Sequence, residues 1–172
     1  MSDGPVILAL DQSSTRTGCA KGRPDGPVAL FSYANPKCGR DYGRAFEAYR
    51  AWLSDTLSGV DLVAFETPVN PSVLNLHTAR LLYGIAGFIE WTCRKQGVEV
   101  LETDNNQMKK LIYGKGGKKP AEYLAKSKAR SWGFDPENID ECDAAGVFLI
   151  TVQHRYPDAF NRVWAKQKAL QL

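Results

Sequence analysis

Two apolar runs in this chain each end on a carboxylate: Val6-Ile7-Leu8-Ala9-Leu10 stops at Asp11, and Val60 to Phe65 stops at Glu66, ahead of the breakers Pro68 and Pro71. An unbroken apolar run of that length reads as a strand buried on both faces of a sheet. If two such strands are neighbours, ~4.8 Å apart, their terminal carboxylates project into one space at the sheet edge, where unpaired anions repel. Ile139-Asp140-Glu141-Cys142-Asp143-Ala144-Ala145-Gly146 adds a third acidic source. Asp140 and Asp143, three apart, share a helix face, and the small residues Ala144 and Gly146 permit close approach to the sheet. The dipole at a helix N-terminus favours a carboxylate by only ~0.3–1 kcal/mol, too little to keep four clustered acids ionised, so a bound cation is the economical explanation. Oxygen ligands without imidazole or thiolate select Mg²⁺, with Mn²⁺ as its substitute. Any one of these acids also reads as a turn or capping residue; their joint placement is what capping does not require.

Other nucleophile and metal patterns are poor. Cys19, Cys38, Cys93 and Cys142 form no CxxC pair, and His77 and His154 add no zinc-ligand spacing. The histidines read as surface or helix-face residues. Charge is more informative. The net +3 hides a window from Lys109 to Arg130 with eight basic side chains against Glu122 alone, which leaves the rest of the chain at −4. Lys109, Lys110, Lys115, Lys118 and Lys119 form its first half, around Gly114-Lys115-Gly116-Gly117-Lys118-Lys119. The clustering is the footprint of a polyanion site, and equally of a solvated helix face with a glycine-rich loop. Tyr113, Tyr123 and Trp132 interleave with it. They could stack on unpaired bases, with helix core as the competing role for Tyr123 and Trp132.

The elements that must position these residues follow from periodicity. Val6 to Leu10 reads as a central strand; Thr17 to Lys21 and Val28 to Ala34, separated by Gly22-Arg23-Pro24-Asp25-Gly26-Pro27, complete an antiparallel meander. Ala45, Phe46, Tyr49, Trp52, Leu53 and Leu57 recur at three and four within a helix from Tyr42 to Leu57 that Gly59 ends. A long helix from Val73 to Gln96 is capped by Gly97, and a short strand spans Val98 to Leu101. Helices are expected at Asn105 to Ile112, Pro120 to Trp132, Pro136 to Arg155 with Asp135 as N-cap, and Asp158 to Leu170. The order three strands, helix, strand, helix, strand, helices calls for an α/β fold, a mixed five-stranded sheet flanked by helices, with ligands gathered at the carboxyl ends of its parallel strands.

Length and composition fit one domain over residues 1–172, with 44% hydrophobic and 24% charged residues. The apolar runs fall far short of the ~20 residues of a membrane span, and the start Met1-Ser2-Asp3-Gly4-Pro5 has no basic n-region. A soluble cytoplasmic protein is expected, bacterial or in a host cytoplasm if viral.

Ile7-Leu8-Ala9-Leu10-Asp11-Gln12-Ser13-Ser14-Thr15-Arg16-Thr17-Gly18, then Val63-Ala64-Phe65-Glu66, then Asp140-Glu141-Cys142-Asp143-Ala144 resemble, in order and spacing, the three acidic motifs of the RuvC Holliday junction resolvases. The resemblance runs to about residue 152. It implies an RNase H-like fold, a homodimer, and divalent-metal cleavage of branched DNA, above all four-way junctions. By motif position it assigns Asp11, Glu66, Asp140 and Asp143 as the catalytic, metal-binding acids. Asn106-Gln107-Met108-Lys109 and Lys118 look similar to the family's basic DNA-contacting region. Ser13 stands where the family usually has glycine, and Thr67-Pro68-Val69 has no aromatic where cellular members often carry one, which fits a divergent member. The chemistry implied is in-line attack of water on phosphorus between two metals ~3.5–4 Å apart, bridged by an acid such as Asp11.

Three alternatives stand beside it: a broader-specificity branched-DNA or RNA–DNA nuclease of the same fold, an actin-like ATPase fragment, whose first phosphate loop Asp11 to Thr17 also resembles, and a non-catalytic nucleic-acid-binding module. A homodimer is also expected from the long helix itself. Leu74, Leu81, Ile85, Phe88 and Trp91 lie near one direction, while Leu82 and Ile89 broaden the surface. Either a second copy or the helix from Asp158 to Leu170 must cover what the sheet does not.

Overall fold

The central strand β1 (Ile7–Gln12) is completely apolar up to Asp11 because both of its faces are covered. In the computed structural model, which describes residues 4–37, 39–68, 70–114, 116 and 120–166, it lies in a five-stranded sheet. The sheet also contains β2 (Arg16–Gly22), β3 (Val28–Ala34), β4 (Leu62–Glu66) and β5 (Glu99–Thr103), in the order β3-β2-β1-β4-β5. The meander β1-β2-β3 is antiparallel, and β4 and β5 run parallel to β1. β1 and β4 are direct neighbours, with Leu10 opposite Phe65.

Helices α1 (Tyr42–Thr56) and α2 (Leu76–Gln96) cover one face. Leu8, Leu10, Val63 and Phe65 pack there with Tyr49, Leu53, Ile85 and Ile89. Helices α3 (Asn105–Tyr113), α4 (Glu122–Arg130) and α5 (Ile139–Arg155) cover the other, where Ile7, Ala9, Leu62 and Ala64 meet Met108, Ala129 and Phe148. α5 is buried along most of its length because it runs between the sheet and the other two helices.

Three boundaries differ from expectation by three residues or more. α2 begins at Leu76, because Leu74 is extended and Asn75 accepts the N–H of Thr78 at 2.8 Å as N-cap, with a single 3-10 turn (Pro71–Val73) before it. α5 begins at Ile139, with Asn138 rather than Asp135 as its cap; Asp135 instead pairs with Arg130 at 3.2 Å. The expected helix from Asp158 to Leu170 is a turn at Pro157–Ala159 running into a π-helical turn at Phe160–Trp164, and its end lies outside the described residues.

The C-terminal turns do not cover α2. Trp164 stacks on Phe134 at 5.1 Å and donates its indole N–H to Pro24 O at 2.7 Å, which pins it to the opposite face of the sheet. On α2, Leu81, Ile85 and Ile89 are buried against α1 and the sheet, so these three are core. Leu76, Tyr83 and Trp91 are left exposed, Leu76 at 84%. Among the described residues no helix is long and apolar enough to cross a membrane.

Candidate active site at the carboxyl ends of β1 and β4

Strand alternation decides which way the two strand-terminal acids face. Ile7 and Ala9 belong to the core under α5, so Asp11, two residues on, continues that face. Leu62 and Ala64 belong to the same core, so Glu66 does likewise on the neighbouring strand. Asp11 is 6% exposed and Glu66 is half-buried.

Both strand ends are tied down. The Ser13 hydroxyl accepts the Arg16 N–H at 3.0 Å and donates to Arg16 O at 2.7 Å, closing the β1–β2 turn from within. Asn35 donates to Ser13 O at 2.7 Å and accepts the Thr17 hydroxyl at 3.2 Å. Serine where the resembled family has glycine is therefore a turn-forming residue. At β4, the Thr67 hydroxyl donates to Thr103 O at 3.1 Å and the Thr103 hydroxyl to Phe65 O at 3.2 Å, which fixes the backbone on either side of Glu66.

The first turns of α5 supply the other acids. Gly18 stands opposite Asp11 in the β1–β2 ladder, and a Cβ at Gly18 would lie 2.0 Å from Asp140 O. The missing side chain is what lets the start of α5 rest on the sheet beside Asp11. Gly146 has a different partner from the one expected: its Cβ would meet Met108 Sδ at 2.5 Å, so it admits α3 rather than the sheet.

Within that turn the acids divide their roles. Glu141 accepts the Glu137 N–H and the Asn138 side-chain amide, each at 2.8 Å, while Asn138 accepts the Glu141 N–H at 3.1 Å. This reciprocal arrangement is a variant of the capping box, with the Glu137 N–H and the Asn138 amide in place of the N-cap N–H, so Glu141 is a structural acid. Asp143, one turn further, is 2% exposed and accepts a hydrogen bond from the Tyr113 hydroxyl. Burial, then the charge and hydrogen bond of Asp143, and more weakly the charge of Asp11, push the Tyr113 phenol well above its ordinary range, so it remains a donor. Asp11 and Asp143 thus act on one phenol from two elements.

Sequence reasoning anticipated neither the contact of Tyr113 with Asp143 nor the capping role of Glu141. Tyr113 is buried and offers no ring to a base, Trp132 is buried in the core, and Tyr123 is exposed at 78% rather than part of the core. His77 and His154 are on the surface, with His77 Nδ1 paired to the Tyr42 hydroxyl at 2.7 Å. Burial and then the charge of Asp143 push the Cys142 thiol up to about 12, which removes it as a nucleophile at neutral pH.

On the basic side, Lys109 is half-buried and Lys110 exposed on α3, whose other face carries Met108, Ile112 and Tyr113 into the core. Lys115, Lys118 and Lys119 lie outside the described residues. Gln12 and Glu66, with Thr67, Pro68 and Leu82, line a cavity of about 30 Å³. The buried Gln12 Nε2 has no hydrogen-bond partner among the described residues, and a donor at that place suits an oxygen.

The donor chemistry, carboxylates with Asp11 and Asp143 largely desolvated, is of the kind a hard cation takes. As they stand, no three His, Cys, Asp or Glu side chains among the described residues are closed to metal-ligand separation.

No protein-family model matches the chain, and no curated protein matches it in sequence. Solved structures do. Thermus thermophilus RuvC superposes with a TM-score of 0.65 at 16% identity, covering 88% of this chain and 96% of that one. The same enzyme in complex with a Holliday junction substrate gives 0.69 at 16% identity, over 91% and 96%. The chain has the fold of the RuvC resolvases, an RNase H-like fold. The yeast mitochondrial Holliday junction resolvase Ydc2 superposes with a TM-score of 0.61 at 9% identity, over 95% of this chain and 83% of that one. At identities this low, the fold is what the chain shares with these proteins.

Proposed function

We infer that the chain is a single-domain, divalent-metal-dependent endonuclease that cleaves phosphodiester bonds in branched DNA, with four-way junctions as its preferred substrate. The observation that carries this reading is that β1 and β4 are adjacent parallel strands ending at Asp11 and Glu66, with the start of α5, which bears Asp140 and Asp143, resting against Gly18 beside Asp11. The Thermus thermophilus structure with a Holliday junction substrate supports the choice of DNA.

Asp11, Glu66 and Asp143 would hold Mg²⁺ or Mn²⁺, with Asp140, in the first turn of α5, as the outermost ligand. A bound divalent ion supplies Lewis acidity toward the phosphate and a water nucleophile at neutral pH. A bound cation would offset the mutual repulsion of carboxylates brought together here. Gln12 Nε2 offers a hydrogen bond to a water in the small cavity it lines with Glu66 and Leu82. Lys109, Lys110 and the lysines of the glycine-rich segment neutralise flanking phosphates and set register without reading sequence.

The working unit is a homodimer. Leu76, Tyr83, Gly87 and Trp91 span about 80° of α2 at about 100° per residue, a stripe interrupted by Arg80 and left uncovered by α1 and the sheet. A two-fold interface there would present two sites for paired incision of one junction.

Cleavage of a panel of four-way junctions, forks, flaps, linear duplex and RNA–DNA hybrid in Mg²⁺ tests the reading. Paired nicks in the junction with linear duplex uncut are predicted. Equal cutting of junction and hybrid would replace it by the broader nuclease, and metal-independent binding without cleavage by the non-catalytic module.

A further inference from the structure

The hydroxyl of Tyr113 donates to Asp143 from a helix outside the acidic motifs. Tyr113 is the last residue of α3, where Gly114 turns left-handed at φ +78° and donates to Lys110 O at 3.1 Å. The helix end is thereby fixed. The helix itself is held against α5 by the close fit of Met108 and Ile112 over Gly146. The tyrosine ring is 6% exposed and belongs to the core under the sheet, so its hydroxyl has little freedom to leave Asp143.

A buried carboxylate needs hydrogen bonds, and those to charged groups are the stronger ones. A donor on one oxygen also fixes the orientation of the carboxylate plane. The charge of Asp11 bears on the same phenol, so the oriented carboxylate and Asp11 are near one another.

We propose that Tyr113 is a positioning residue for Asp143: its hydroxyl orients the carboxylate for a divalent ion held with Asp11, so that ion affinity depends on the docking of α3 against α5. The proposal rests on the metal-site reading above and extends it to a residue outside the three acidic motifs. Hydrogen-bond partners that orient metal ligands contribute 10–100-fold to affinity in known metal sites.

The test is calorimetric titration of Mn²⁺ into the full-length protein, compared with Mg²⁺ titrations of junction cleavage. Tyr113→Phe removes one oxygen and keeps the ring. The variant should bind Mn²⁺ about 10–100-fold more weakly than wild type, need a correspondingly higher Mg²⁺ concentration for half-maximal cleavage, and recover most of its rate at saturating metal. In the Asp143→Asn background the same substitution should change Mn²⁺ affinity no further, an outcome that a merely structural tyrosine does not produce. Unchanged affinity in Tyr113→Phe, or equal losses in both backgrounds, would overturn the proposal while leaving the metal site standing. A wild-type protein that binds no Mn²⁺ would overturn both. If Tyr113→Phe does not fold, the double variant with Asp143→Asn should, because it removes the buried charge that the tyrosine hydroxyl served; a double variant that is equally unfolded assigns Tyr113 to packing alone and ends the proposal.

Discussion

Gly18 lies so close to the first turn of α5 that a methyl group on it would stand 2.0 Å from the carbonyl oxygen of Asp140. That contact sets how near the acids of α5 come to Asp11, since Gly18 is the ladder partner of Asp11. The obstacle is backbone, which cannot swing aside as the tip of a side chain would. Gly18→Ala should therefore destabilise the fold by about 1–3 kcal/mol through overpacking. It should reduce cleavage beyond what the lost stability explains. Denaturant melts and cleavage assays below the melting range check both, and a variant with normal stability and activity would show that α5 has room to move.

Removing one charge at a time should separate the acids. Asp11→Asn, Glu66→Gln and Asp143→Asn are expected to abolish cleavage while leaving junction binding in Ca²⁺ or EDTA largely intact. Asp140→Asn should be milder. Gel-shift and nicking assays on the same preparations check this; a variant that loses binding and cleavage together would point to misfolding instead.

Glu141 sits between two of these acids and should behave differently from them. Glu141→Ala removes the acceptor for the Glu137 N–H and the Asn138 amide, and should cost about 0.5–2 kcal/mol, the range for a lost helix cap. Residual activity should keep the wild-type dependence on Mg²⁺. A shifted metal requirement in this variant would make Glu141 a ligand.

The contrast between Glu141 and its neighbours shows what could be read in advance. Asp11 and Glu66 were legible because a doubly buried strand announces itself as an apolar run, and its end is then visible. The meander was legible from its Gly/Pro turn, and the mixed sheet from the order of strands and helices. Asp135-Pro136 is the stronger local capping signal, yet Asn138 caps α5 because Glu141 returns its hydrogen bond and Asp135 is taken by Arg130. Tyr113 meets Asp143 across a separation of 30 residues, with no periodicity to give it away. Gly18 matters only through what packs on it, which a strand pattern does not contain.

Binding to DNA should fall steeply with salt, because each neutralised phosphate releases counterions and contributes ~0.9 to the slope of log affinity against log salt on duplex DNA. Replacing Lys115, Lys118 and Lys119 together by Ala should flatten the slope and weaken junction and duplex binding alike. Lys110→Ala should add a smaller effect of the same kind. Fluorescence anisotropy over a salt series decides; an unchanged slope would make these lysines solvated surface.

Dimerisation through α2 predicts a species of about twice 19.0 kDa by light scattering at micromolar concentration. Tyr83→Asp or Leu76→Asp should split it with little loss of fold, since both side chains are exposed in the single chain. Ile85→Asp is the wrong probe, because Ile85 is core and its loss unfolds the protomer. Split protomers should nick one strand without pairing the cuts. A 19.0 kDa species in both the presence and absence of junction DNA would contradict the dimer.

The most direct test of the central claim is incision of a labelled four-way junction by the purified protein in Mg²⁺, in excess EDTA, and with Asp11→Asn in place of wild type. Incision that requires both Mg²⁺ and Asp11 is the predicted result. Full incision in EDTA, or by the Asp11→Asn variant, would contradict the assignment of the carboxylates as a metal-dependent nuclease site.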